Sequence, residues 1–229
     1  MAHELDSFIL KHFAVEANPA GPTALPIDRT GMVKLWRKFG YQVAVEVGVS
    51  KGRFSKTICQ VNPSIKLYGI DPWNAYEGYV ERKGARGQEA LDRHYEEAQA
   101  RLAPFNCELI KGFSPQAATL FQDGELDAVF IDGNHSFSYA VADIAAWTQK
   151  VRVGGMICGH DYWNSADGFG YKRLPIEQFI KGLTRQEELR VCQVKYAVDA
   201  WTAAHAISPF YTTAQDDFSS WFWIKGENV

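Results

Sequence analysis

Glu46, Gly48 and Gly52 are the first residues in this chain whose types and spacing suggest chemistry. The run Val43-Ala44-Val45-Glu46-Val47-Gly48-Val49-Ser50-Lys51-Gly52 leads from a short apolar stretch through an acid to two glycines four apart, and a helical pattern follows. A doubly wound α/β sheet opens a ligand site in this way, at the carboxyl end of its first strand. The glycine spacing that seats a pyrophosphate on a helix N-terminus is absent, because Ser50 stands where the middle glycine would be. An acid two residues before the first glycine repels phosphate, so a ligand carrying positive charge fits better. Asp71 follows the next apolar run, roughly 20 residues on, where an acid can accept both hydroxyls of a ribose. Gly112-Phe113-Ser114, Asp132 and Asp161 each follow a further apolar run. His135 and His160 stand beside the last two acids, and an imidazole that titrates near neutrality suits a general base. Asp132 and Asp161 together offer oxygen ligands for a hard divalent ion such as Mg2+, which would lower the pKa of a bound hydroxyl.

Each of these residues alone reads equally as turn chemistry, since Asp and Gly favour strand ends. His135 then bonds a loop backbone or the ligand, and His160 orients Asp161. Five such ends collected on one side of a sheet are a poor match to chance. His135 is the favoured base.

The elements that must position these residues follow from periodicity. Residues 3–14 form a short helix, residues 15–27 a proline- and glycine-rich loop, and Asp28 caps a helix to about residue 39. Strands are expected at 43–47, 65–70, 107–111, 126–131, 156–159, 190–195 and 219–224. Helices are expected between them, at 87–102, 115–121, 139–148 and 174–182 among others. Alternating strands and helices argue a parallel sheet with right-handed crossovers, and the final strand can enter as an antiparallel edge. The inserts at 73–86 and 163–173, with Tyr76, Tyr79, Gly168 and Gly170, read as covers over the strand ends or as solvated loops. The domain reading is an N-terminal helical cap at 1–40 and an α/β domain at 41–229.

With 229 residues, 46% hydrophobic and 22% charged, the chain has the size and balance of one globular α/β domain. A net charge of -3 gives no electrostatic footprint for nucleic acid or an anionic membrane, which leaves a small molecule as the expected partner. No apolar run is long enough to span a bilayer and no secretory leader is visible. Cys59, Cys107, Cys158 and Cys192 lack metal-type spacing and read as reduced core residues of a cytoplasmic enzyme. The aromatic segment at 201–223 reads as core or as the contact of a homodimer.

Four pieces of sequence together resemble the class I S-adenosylmethionine-dependent methyltransferases: Glu46-x-Gly48-x-x-x-Gly52, Gly69-Ile70-Asp71-Pro72-Trp73, Phe130-Ile131-Asp132-Gly133-Asn134-His135-Ser136 and Gly154-Gly155-Met156-Ile157-Cys158-Gly159-His160-Asp161-Tyr162. The last two resemble the branch of small-molecule and sugar O-methyltransferases. The resemblance implies a Rossmann-like, seven-stranded, mostly parallel sheet in the order 3-2-1-4-5-7-6, with an antiparallel seventh strand. It implies S-adenosylmethionine as cofactor, with Gly48 and Gly52 at its methionine part and Glu46 near its amino group or shaping the turn. Asp71 would hold the ribose, Trp73 the adenine side, and Phe113 and Ser114 the adenine edge, with Asp132 also at the cofactor. It implies methyl transfer to a sugar, phenol or natural-product hydroxyl. The strand-end acids resemble those of metal-using catechol-type and macrolide-sugar enzymes, except that Tyr162 stands where the catechol pattern has an amide. Asn134 or Asn164 could replace that ligand, and the other reading of Asp132 is contact with cofactor alone. Two rival readings are an NAD(P)-dependent oxidoreductase and a non-catalytic cofactor-binding scaffold.

Overall fold

The computed structural model describes residues 2–76, 87–163 and 193–227. Eight strands form one sheet: β1 (Thr23–Leu25), β2 (Val43–Val47), β3 (Lys66–Asp71), β4 (Cys107–Lys111), β5 (Leu126–Ile131), β6 (Val151–Gly159), β7 (Tyr211–Thr213) and β8 (Trp221–Ile224). The helices are α1 (Ala2–Phe13), α2 (Arg29–Lys38), α3 (Arg53–Val61), α4 (Gln88–Leu102), α5 (Ser114–Ala118), α6 (Phe137–Lys150) and α7 (Val194–Ala204). The strand order is β1-β7-β8-β6-β5-β2-β3-β4. Only β8 runs against its neighbours, β6 and β7. Apart from β1, this is the expected order with its antiparallel member.

Each strand sorts its side chains between two helical layers, because successive residues point to opposite faces. Val45, Val47, Val129 and Ile131 pack with Ile144 and Trp147 of α6 and Val198 of α7. Ala44, Ala128 and Phe130 pack on the other side with Ile9, Met32, Trp36 and Ile58 of α1, α2 and α3. Trp36 and Trp147 are fully buried, and each such side chain stabilises the fold by roughly 1.5–3 kcal/mol.

Three expectations are corrected. The sheet has eight strands rather than seven, because Thr23–Leu25, inside the expected loop at 15–27, pairs in parallel with β7. The strand expected at 190–195 gives way from Val194 onward to α7, where Val194, Ala197, Val198 and Thr202 share one buried helical face. The sixth strand of the family order is instead β7, within the segment read as an aromatic loop. The helix expected at 174–182, most of both inserts, Asn164 and Cys192 lie outside the described residues. Among the described residues, no helix is long and apolar enough to cross a membrane.

Candidate functional site

The strand ends meet above the bend between β2 and α3. Gly48 adopts φ +91, and a Cβ there would lie 1.9 Å from the carbonyl oxygen of Asp132. Only glycine lets the bend press this close to the end of β5. Ser50 also takes a left-handed conformation, φ +50, and is pinned by its neighbours. Its N–H donates to Asp71 Oδ2 at 2.8 Å, and its carbonyl accepts from Trp73 Nε1 at 2.7 Å. Asp71 Oδ1 accepts from the N–H of Trp73 at 2.8 Å. Gly52 is needed for a different reason. A Cβ there would fall 2.9 Å from the Leu102 side chain, so this glycine lets α3 start close against α4.

A cleft of about 400 Å³ opens over this bend. Gly48, Asp71, Trp73, Phe113, Ser114 and Asp132, all singled out in the sequence, line it. The Trp73 ring belongs to the core beneath, 4.7 Å from Tyr95. Phe113 meets Tyr76 edge-on at 5.1 Å, and Asn134 Nδ2 donates to the Tyr76 hydroxyl at 3.2 Å. Asn134 Oδ1 accepts from the N–H and hydroxyl of Ser136.

Glu46 and Gly52 do not line the cleft. Strand alternation puts Glu46 with Ala44 on the α3 side, where its carboxyl accepts a hydrogen bond from the Ser55 hydroxyl and is 2% exposed. Burial pushes its pKa well above the usual carboxylate range, against the pull of Ser55. Its carboxyl sits beneath the bend, bonded to α3 through Ser55.

Asp143 is the cleft residue that sequence reasoning missed. It is 3% exposed, and burial raises its pKa to about 6 despite the Ser114 hydrogen bond that favours the charged form. Ser114 Oγ in turn accepts from Trp147 Nε1 at 2.7 Å. The signal was present in α6: Ala140, Asp143, Ile144 and Trp147 form one buried stripe, and a carboxylate does not enter such a stripe without a reason.

Asp132 and His135 line the cleft; beyond them, outside its lining, Asp161 joins the two histidines. His135 Nε2 lies 3.1 Å from Asp161 Oδ2 and 3.5 Å from Asp132 Oδ1. His160 Nδ1 lies 3.3 Å from Asp161 Oδ1. Asp161 holds φ +60, a left-handed conformation that aims its carboxylate between both rings. Burial opposes its charge, but His135 and His160 outweigh that and keep its pKa below the ordinary value. For His160, burial favours the neutral ring, and the Asp161 hydrogen bond with the charges of Asp132 and Asp161 raises its pKa overall. His135 is the more open of the two, its side chain 38% exposed against 14% for His160. Both histidines line a small cavity of about 10 Å³. Asp132, His135 and Asp161 each place one ligand atom within 4.8 Å of the others, so the donor set fits a divalent ion, with the His135 nitrogen as the third ligand.

The comparisons agree with this geometry. Residues 45–162, just over half of the chain, match the family model described as a methyltransferase domain. No curated protein matches the sequence. Among solved structures, an O-methyltransferase from Bacillus cereus in complex with S-adenosylhomocysteine has a TM-score of 0.53 at 14% identity, covering 96% of this chain and 88% of its own. The O-methyltransferase TomG of Streptomyces achromogenes, involved in tomaymycin synthesis and solved with S-adenosylmethionine, has a TM-score of 0.53 at 15% identity, covering 98% and 90%. The S-adenosylhomocysteine-bound methyltransferase PaMTH1 of Podospora anserina has a TM-score of 0.55 at 13% identity, covering 86% and 78%. The matched domain, the strand order and the cleft at the strand ends lead to one assignment: this chain belongs to the methyltransferase domain family and is a class I, S-adenosylmethionine-dependent methyltransferase.

Proposed function

We propose that this methyltransferase acts on a hydroxyl oxygen of a small molecule, in the class of sugars, phenols or natural-product alcohols. The observation that carries the reading is the Asp161 carboxylate set between His160 and His135, the latter a residue of the cleft lining. A hydroxyl, unlike an amine, must lose its proton to become a good nucleophile, and such a pair is built to take one. When bound, S-adenosylmethionine supplies an electrophilic methyl group on a sulfonium. Asp71 would hold its ribose, with Gly48 beneath its amino-acid tail and Phe113 and Ser114 at its base. His135 Nε2 would accept the acceptor's proton, and Asp161 Oδ2, at 3.1 Å, would stabilise the imidazolium that results. His160 would hold the other Asp161 oxygen in place. The cleft must also orient the acceptor oxygen in line with the methyl.

A second reading is favoured by the fitting donor set. Asp132, His135 and Asp161 would hold a divalent ion, which would lower the pKa of the hydroxyl directly. The two readings differ in what removes activity.

The test is methyl transfer from labelled S-adenosylmethionine to a panel of hydroxylated sugars, phenols and their amino analogues, with Mg2+ or with EDTA. His135→Ala is expected to lose about 10²–10⁴ in rate while still binding S-adenosylhomocysteine. Loss of turnover in EDTA, restored by Mg2+, selects the metal-assisted route. Methylated amines as the only products, or cofactor binding with no turnover on any acceptor, would refute O-methylation. A thermal melt raised by NAD or NADP rather than by S-adenosylhomocysteine would point to the oxidoreductase.

A further inference from the structure

Glu46, Asp71, Asp132, Asp143 and Asp161 surround the strand ends, and this many carboxyls make a poor home for an anion. Arg29 is a cation on the α3 side of the sheet, over Phe54 and outside the lining of the cleft. It is the first residue of α2, and its backbone N–H donates to Asp216 Oδ1 at 3.0 Å. The other Asp216 oxygen accepts from the hydroxyls of Thr213 and Ser220. Asp216 thus fixes the start of α2 through the backbone, without engaging the guanidinium. That group lies over the Phe54 ring, with Cζ 4.8 Å from the centroid. Phe54 packs 4.5 Å from Phe130, which pairs in register with Glu46 and Cys158 and stands two residues before Asp132. The charge of Arg29 is felt at Glu46, His160 and Asp161.

Arg29 is half-buried, yet no described carboxylate lies within ion-pair distance of it. Removing a charge from water without a partner is unfavourable, and an arriving anion offsets that cost through paired N–H···O bonds. The first turn of α3, beneath the guanidinium, also lacks a side-chain cap at Gly52, so its free N–H groups add positive potential.

We infer that Arg29 is the anion receptor of this site, its guanidinium pairing with a carboxylate on a bound small molecule. The inference rests on the methyltransferase reading above. Two molecules can bring that carboxylate: the cofactor, through its amino-acid tail, or the acceptor, through an acid group of its own.

Calorimetry on the full chain separates the sources. Wild type, Arg29→Gln and Arg29→Lys are titrated with S-adenosylhomocysteine and with 5′-methylthioadenosine, which lacks the amino-acid carboxylate. Each protein saturated with S-adenosylhomocysteine is then titrated with 3,4-dihydroxybenzoate and with catechol. A fall of about tenfold or more for S-adenosylhomocysteine in Arg29→Gln, with 5′-methylthioadenosine unchanged and Arg29→Lys intermediate, assigns the carboxylate to the cofactor. Unchanged S-adenosylhomocysteine binding, with a preference for the dihydroxybenzoate that Arg29→Gln abolishes, assigns it to the acceptor. If Arg29→Gln alters neither comparison, the inference is wrong. Wild type that binds neither nucleoside would refute the cofactor reading itself, before any substitution, and the inference with it. The substitutions keep the backbone N–H that Asp216 holds, and matching thermal melts confirm an intact fold.

Discussion

Replacing Asp143 by Asn should stabilise the empty protein, and the gain should depend on pH. In the fold this carboxyl has a pKa of about 6, against 3.8 for the free group, because burial penalises its charge. A shift of about two units corresponds to roughly 3 kcal/mol. The sign follows from proton counting. Between the two pKa values the native state holds more proton than the unfolded chain, so stability falls as pH rises through that window. Above it, the ionised carboxylate costs about 3 kcal/mol relative to a neutral group of the same shape. At pH 5 the remaining cost is about 1.5 kcal/mol, because the native group is by then mostly protonated. Asp143→Asn removes this cost while its amide oxygen can still accept from Ser114. Urea denaturation of both proteins at pH 8 and pH 5 measures the difference directly. The variant should gain about 1.5 kcal/mol more at pH 8 than at pH 5. A gain that does not change with pH, or one larger at pH 5, would refute the argument that burial sets this pKa. The groups common to both proteins cancel in the comparison, including Glu46, whose own pKa is raised.

Gly48→Ala should unfold the bend or expel it from the site, because its Cβ would meet the Asp132 carbonyl at 1.9 Å; a loss of at least about 3 kcal/mol and no melt shift with S-adenosylhomocysteine are expected. Glu46→Gln should gain stability relative to wild type as pH rises above the usual carboxylate range, since burial raises the native pKa; a difference that does not grow with pH in denaturant titrations would refute this. Asp161→Asn should lower methyl transfer more than it lowers S-adenosylhomocysteine affinity, because it removes the charge that steadies the His135 imidazolium; equal losses in both would place Asp161 in cofactor binding instead.

The sheet was legible because its central strands carry a strong signal. Val43–Val47 and Leu126–Ile131 are apolar runs that end on an acid or a glycine, and that pairing of pattern and punctuation fixed both the strands and the site at their ends. Thr23–Leu25 was invisible for the opposite reason: three residues show no period, and backbone pairing with β7 alone makes them a strand. The segment from Val194 was misjudged because its apolar residues are dense enough to fit both periods, and packing against α6 selects the helix. At the site, Gly48, Asp71 and Asp132 were readable from position along the chain. The orientation of Glu46 was not, since neighbouring residues on a strand face opposite ways and the glycine bend hides which way is up. Arg29 lies outside the methyltransferase signature, and only the packing of α2 on α3 brings it near the strand ends.

The short β1 has a practical consequence. It hydrogen-bonds along β7, with the N–H of Thr23 donating to the carbonyl of Phe210 at 2.8 Å and that of Ala214 to the carbonyl of Leu25 at 2.9 Å. A version trimmed to begin at residue 26 would bare that row of backbone groups on an otherwise finished sheet. Such a raw border recruits other chains, so the shortened enzyme should self-associate.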